Sequence, residues 1–191
     1  MARPLSPEKR QTILDAAMEV VASAGTGATT AAIAKVAGFA EGTLFTYFPT
    51  KDDLLNALYL DIKSDLHAHM TRYYKPSETL EERCRSVWEC FIAWGAADSR
   101  KNKALRQLSV SDRVTDDTRR QALCVTSPLS QVLTECAECS ALKGLAKGYP
   151  GTLMSAMAEI TFDYIAAEPA KAKRHTRTGF ESFWRAIGCA D

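Results

Sequence analysis

No apolar run in this chain approaches the roughly eighteen residues that a membrane span requires. The opening residues, MARPLSPEKR, have no apolar core of the kind a secretion signal carries. The expected location is therefore the cytoplasm, with no membrane partner. Alternating apolar and polar residues are also missing, as are internal repeats and low-complexity segments, so neither a sheet nor a repeat array is expected. Catalytic frameworks are absent too: there is no GxSxG, no Walker loop, no GxGxxG and no HExxH. The acid pairs Asp52-Asp53, Glu81-Glu82 and Asp116-Asp117 stand at expected helix starts, where carboxylates suit the positive end of the dipole. No catalytic residue, cofactor or metal is assigned.

A surplus of positive charge is lacking as well. The formal net charge is +1, and residues 1–75 hold eight Lys or Arg against eight Asp or Glu. That balance argues against a protein held to nucleic acid by bulk charge and leaves room for one that places a few cations. The six cysteines suit a reducing compartment. Cys136 and Cys139 form one CxxC with no second pair and no histidine close behind it, which is too few ligands for zinc. His67 and His69 are two apart and would lie on different faces of a helix. A thiol pair one turn apart could sense oxidants, but buried spectators explain the cysteines as well.

What is present is a 191-residue chain, 46% hydrophobic and 25% charged, ordinary for a globular protein and long enough for a small domain joined to a larger one. Its centre of organisation is the stretch TTAAIAKVAGFAEGTLFTYFPTKDDLL, residues 29–55. Thr29 and Thr30 can cap a short helix whose inward face is Ile33, Ala34 and Ala37. Gly38 ends it, because glycine takes left-handed backbone angles without steric cost. A second short helix over Glu41–Phe48 would bury Leu44 and Phe48, and Pro49 stops it. Two short helices joined by a glycine turn form a helix-turn-helix, whose second helix can enter the DNA major groove.

At these residues the chain resembles the tetracycline-repressor (TetR) family of bacterial transcription regulators. IAKVAGFAE followed by GTLFTYFPTKDDLL carries the resemblance, which extends over roughly residues 8–60 and not beyond. It implies that Glu41–Phe48 is the recognition helix. Gly42 would let the backbone approach the groove, Thr43 and Thr46 would bond base edges or phosphates, and Phe45 would pack on thymine methyls. The Tyr47 hydroxyl would reach a phosphate or belong to the domain's own packing. Thr30 and Lys51 would grip the backbone on either side. Two residues depart from the family's habit: Ala40 stands where a serine cap is common, and Glu41 where a basic residue or proline is common. Glu41 could read a cytosine amino group or serve the helix dipole.

The rest of the chain reads as all-α. Ser6 and Pro7 start a first helix that runs to Gly25 and completes a three-helix domain. From Lys51 to Tyr74 a helix about 36 Å long would tie that domain to the remainder. Further helices are expected from Ser77 to Gly95, near Lys101–Ser109, and from Asp116 to Leu142, where Pro128 should kink or divide the last. Gly144, Gly148, Pro150 and Gly151 mark a loop before two final helices, Thr152–Ala167 and Ala170–Ile187. The expected domains are residues 1–50, binding DNA, and residues 51–191, binding an effector and dimerising.

Large apolar residues on the final helices, Leu153, Ile160, Tyr164, Phe180, Phe183, Trp184 and Ile187, are candidates for a homodimer interface, the four-helix arrangement known in the family. Trp88, Phe91, Trp94, Cys124, Met154, Met157 and Phe162 are candidates for the wall of an effector pocket, although each also fits an ordinary core position. A mostly apolar small molecule is the expected effector, with no charge cluster selecting an ionic one. The function expected is a ligand-responsive repressor of a palindromic operator on double-stranded DNA. The alternatives are a helical ligand-binding enzyme, an activator, or a DNA binder without an effector.

Overall fold

The computed structural model describes residues 5–124, 128–139, 142–146 and 148–188, and these contain helices and turns but no strand. Ten α-helices follow one another: α1 (Pro7–Ala24), α2 (Thr30–Ala37), α3 (Glu41–Tyr47), α4 (Lys51–Tyr73), α5 (Leu80–Ala97), α6 (Ser99–Ser109), α7 (Asp116–Cys124), α8 (Pro128–Cys139), α9 (Tyr149–Ala167) and α10 (Ala172–Ile187). No described helix is long and apolar enough to cross a membrane.

Local signals set most of these boundaries. The Ser6 hydroxyl accepts from the Lys9 N–H at 3.2 Å, with Pro7 at the first helical position, so two of the unpartnered donors at the start of α1 are dealt with. Thr29 caps α2 by accepting from the Ala32 N–H at 3.1 Å. Gly38, at φ 74°, closes α2 by turning its N–H and that of Phe39 back onto the Lys35 and Ala34 carbonyls. Before α4, Thr50 and Asp53 form a reciprocal capping box: the Thr50 hydroxyl accepts from the Asp53 N–H and the Asp53 carboxylate from the Thr50 N–H, both at 3.0 Å. Pro128, expected to kink or divide a long helix, stands at the first turn of α8, and residues 125–127 before it lie outside the described ones. Pro150 and Gly151, expected in a loop, instead lie in the first turn of α9. Proline costs nothing there, because its missing N–H would have had no intrahelical partner.

The chain forms two compact units. The first comprises Met1–Asp65 and Asp98–Val125. In it, Ile13, Leu14, Ala17 and Val21 of α1 are completely buried with Ile33 of α2, Leu44 of α3, and Leu54 and Leu55 of α4. Helix α6 packs on α1, contributing the buried Ala104 and Leu108. Asn56 of α4 holds the segment after α6, donating to the Arg113 carbonyl at 2.9 Å and accepting from the Thr115 N–H at 3.0 Å.

The second unit comprises Leu66–Ala97 and Thr126–Asp191, with α5 packed on α8, α9 and α10. Trp88 lies at its centre, fully buried, stacked on Phe183 and donating its indole N–H to the Thr176 carbonyl at 2.8 Å. A bidentate pair joins α5 to α8: Arg83 donates to both Glu135 oxygens, at 2.8 and 2.6 Å. These bonds hold the Glu135 carboxyl below the usual range. Helix α4 is continuous from Lys51 to Tyr73, about 34 Å, and its residues belong to both units.

Candidate nucleic-acid interface

Seven residues are too few for a helix to persist alone in water, so α3 depends on its anchors. Leu44 is wholly buried and Phe48, just past the helix, is 3% exposed. These two pin one face, and the opposite face carries Glu41, Gly42, Phe45 and Thr46, all exposed. Phe45 keeps 43% of its surface in solvent. An exposed phenylalanine on a pinned helix is apolar surface held out for a partner rather than for the core. No atom lies within 4 Å of where a Gly42 side chain would begin, so another backbone can come close there.

The other expected contacts are held by neighbours. Thr43 and Tyr47 are half-buried. The Tyr47 hydroxyl accepts from the Ser6 N–H at 3.2 Å, which ties α3 to the start of α1 and leaves the phenolic proton free to donate outward. The Thr46 hydroxyl donates to the Gly42 carbonyl at 3.1 Å and presents its methyl and lone pairs. Ala40 caps α3 without a side-chain bond. Glu41 stands in the first turn, where its charge suits the helix dipole, and its carboxylate accepts from the Thr30 hydroxyl at 2.5 Å. This brace between α2 and α3 commits the Thr30 hydroxyl, so its remaining route to a phosphate is the N–H at the start of α2. Lys51 is half-buried at the first residue of α4. Arg10 lies over the Phe48 ring at 5.1 Å and Lys9 over Phe39 at 5.8 Å, so both cations stand beside the motif.

Residues 13–58 match the family model for bacterial regulatory proteins of the tetR family. The crystal structure of a tetR family transcription regulator from Shewanella sp. PV-4 superposes with a TM-score of 0.76 at 25% identity, covering 94% of this chain and 97% of that one. Residues 13–58 are thus similar to the DNA-binding segment of tetR family regulators. The fatty acid metabolism regulator protein of Bacillus subtilis (strain 168) is 36% identical over 80 residues, which make up 41% of this chain and 41% of that protein's own length. The fold is also similar to that of the transcriptional regulator FadR from Bacillus subtilis, solved in complex with stearoyl-CoA, with a TM-score of 0.65 at 20% identity and 95% and 99% of the two chains covered.

Six of the seven effector candidates fall within the second unit, whereas Cys124 belongs to the first. Trp88, Phe91, Trp94 and Met154 are buried, whereas Met157 and Phe162 are half-buried. Phe91 meets Phe162 edge to face at 5.8 Å and stacks on Trp94 at 6.0 Å. The Cys124 and Cys139 side chains lie outside the described residues. Cys136 is buried with its Sγ 4.0 Å from that of Cys84. A groove of about 510 Å³ opens elsewhere on this unit, between α5 and the start of α10, with Arg85, Lys173 and Arg177 among its walls. None of the seven candidates lines it.

The dimer candidates divide in two. Phe180, Phe183 and Ile187 are buried in the chain's own core, at 1%, 0% and 0% exposure. Leu153 and Trp184 are half-buried, while Ile160 and Tyr164 stay 60% and 56% exposed. Leu153, Ile160 and Tyr164, with Tyr149 and Met157, form a stripe along the outer face of α9 at helical spacing, and Trp184 stands on α10.

Proposed function

We propose that the protein is a sequence-specific transcriptional regulator that works without catalysis, a cytoplasmic homodimer repressing from a palindromic operator until a small, mostly apolar molecule releases it. The observation that carries this reading is the outer face of α3, where Glu41, Gly42, Phe45 and Thr46 are exposed on a helix that Leu44 and Phe48 hold rigid. In the major groove Phe45 would meet thymine methyls and Thr43 and Thr46 would bond base edges or phosphates, while the free proton of Tyr47, the Thr30 N–H and Lys51 would take the flanking phosphates. Residues 1–50 supply these contacts, and residues 51–191 supply the effector and dimer functions.

The exposed stripe of α9 supports the dimer. Leu153, Ile160 and Tyr164 would meet their copies across a two-fold axis with Trp184, over the layer that Phe180, Phe183 and Ile187 already form. A dimer of this kind sets two recognition helices about one DNA turn, roughly 34–36 Å, apart. The FadR of similar fold, solved in complex with stearoyl-CoA, supports a small-molecule effector. Trp88, Phe91, Trp94, Met154, Met157 and Phe162 are the aromatic and thioether surface closest in character to an apolar pocket wall. Helix α4, shared by both units, is the element through which an effector would change the spacing of the recognition helices.

A gel-shift with the DNA flanking the gene tests the reading. Saturable retention that survives competitor DNA is expected, and no retention would remove the regulator assignment. Sedimentation at micromolar concentration should give twice the 20.9 kDa chain mass, and a monomer would remove the palindrome with it. An effector can shift the balance only through different affinities for the two states, so operator DNA must weaken effector binding by the same factor that effector weakens DNA binding.

A further inference from the structure

Helix α10 continues a short 3₁₀ turn, Pro169–Lys171, so the Lys171 and Ala172 N–H groups are already bonded, to the Glu168 and Pro169 carbonyls. Its first turn carries Lys173 and Arg174 and no acid, and the residue before it, Lys171, offers no side-chain cap. Nearby charges are largely satisfied. Glu168 takes Lys171 at 2.8 Å and His175 at 3.0 Å, and Glu81 takes Arg85 at 2.6 Å while the Arg85 guanidinium rests on the Phe180 ring at 4.2 Å. Lys173 and Arg177 pair with no carboxylate among the described residues.

Both of these unpaired cations line the groove between α5 and α10. The rest of that groove is mainly hydrocarbon: Ile92, only 2% exposed, Ile165, and three alanines, with Glu89 as the single carboxylate. A volume of about 510 Å³ is within the range of small-molecule sites. The groove also stays clear of the exposed stripe on α9. Ile165 continues the inward row of Met154, Ala158 and Thr161, whereas Ile160 and Tyr164 face outward.

From this juxtaposition of an apolar floor with two cations that have no ion-pair partner among the described residues, we infer that the groove binds a single-chain amphiphile with a carboxylate head. The alkyl chain lies over Ile92 and Ile165, and the head accepts from Lys173 and Arg177, the latter able to bond both oxygens at once. Glu89 selects a monoanion, because a doubly charged phosphate head would face its carboxylate. The groove is a separate place from the aromatic cluster of Trp88, Phe91 and Trp94, and the inference rests on the effector reading only for a consequence at DNA; binding is measured with no DNA present.

Calorimetric titration of the full chain with sodium decanoate, below its micelle concentration, tests the proposal. Decanol is the uncharged control and decyl phosphate the doubly charged one. Decanoate should bind once per chain, with decanol and decyl phosphate weaker by about tenfold or more. The double variant Lys173→Gln, Arg177→Gln should lose about tenfold for decanoate and nothing for decanol, with an unchanged melting curve because both residues are exposed. Ala93→Trp, at an exposed lining position, should block both ligands. Equal affinity for decanoate and decanol, or an unaffected double variant, would overturn the carboxylate site. Decyl phosphate binding more tightly than decanoate would overturn the monoanion head. A chain that retains operator DNA and ignores decanoate loses this inference alone, and one that binds decanoate and no DNA loses the regulator reading alone.

Discussion

Helix α3 starts from Ala40 and α10 from Lys171, and neither start has a side-chain cap. Each also holds one interior glycine. The two helices nonetheless use these features in opposite ways. In α3 the first turn carries Glu41, which a threonine of the preceding helix holds in place, and Gly42 faces open space. In α10 the first two turns carry Lys173 and Arg177, and Gly179 is covered: an added side-chain carbon would overlap the Thr161 hydroxyl and come within 2.7 Å of Trp88. The short helix is fixed by two buried side chains and keeps its outer face for a partner. The longer one spends Phe180, Phe183 and Ile187 on its own core and keeps only its first turns for a ligand. What a glycine or an uncapped start means is therefore decided by what lies opposite it.

The comparison is broken most forcefully at the anchors. Leu44→Ala leaves a cavity under α3 and should cost about 2–5 kcal/mol in denaturant unfolding, with DNA retention lost. A loss no larger than that of an exposed residue would mean that α3 is not held from beneath. The two glycines come next. Gly179→Ala should lower stability by about 1–2 kcal/mol, the overpacking of Trp88 outweighing the better helix propensity. Gly42→Ala should instead leave the melting temperature unchanged or raised, while operator affinity falls by about tenfold. If both variants behave alike in a thermal melt, the contrast between covered and open glycine is wrong.

Smaller effects separate charge from contact. Lys51→Ala should weaken binding to every sequence and reduce the salt slope by about one. Unchanged affinity at two salt concentrations would take Lys51 out of the interface. Glu41→Gln keeps an oxygen for the Thr30 hydroxyl but removes the charge, and should relax preference at one operator position by about 1 kcal/mol. Tighter binding to all sequences would make Glu41 a repulsive bystander braced for the helix alone. The smallest change belongs to the second unit. Because the Arg83 bonds depress the Glu135 carboxyl, its stabilisation is present above the unfolded value of about 4.3 and is lost as pH falls through the folded value. With both groups partly solvated, Glu135→Gln should cost a few tenths of a kcal/mol at neutral pH and nothing in stronger acid.

Local chemistry made much of the first unit legible. Ser6 with Pro7, Thr29 and Gly38 act on backbone groups a few residues away, so the sequence alone was enough to place α1 and α2. Leu44 and Phe48 were legible as the buried side of α3 for the same reason, since helical spacing fixes which residues share a face. Pro128 signals a helix boundary and stands in a first turn, while Pro150 misled, because proline breaks a helix interior and suits a first turn and only the surrounding chain tells which applies.

What the sequence by itself determined, then, is the all-α class, the helix-turn-helix of residues 29–55 and the residues it can present. The tertiary structure alone decided three things: that α6 packs on α1, that Thr30 and Glu41 are bonded partners, and that the groove lies beside Lys173 and Arg177 rather than Trp88 or Met154. The physical reason is one of range. Caps, turns and helical faces are set by neighbours within a turn or two, whereas a side chain's partner, its cover or its exposure depends on which distant residue the fold brings opposite it.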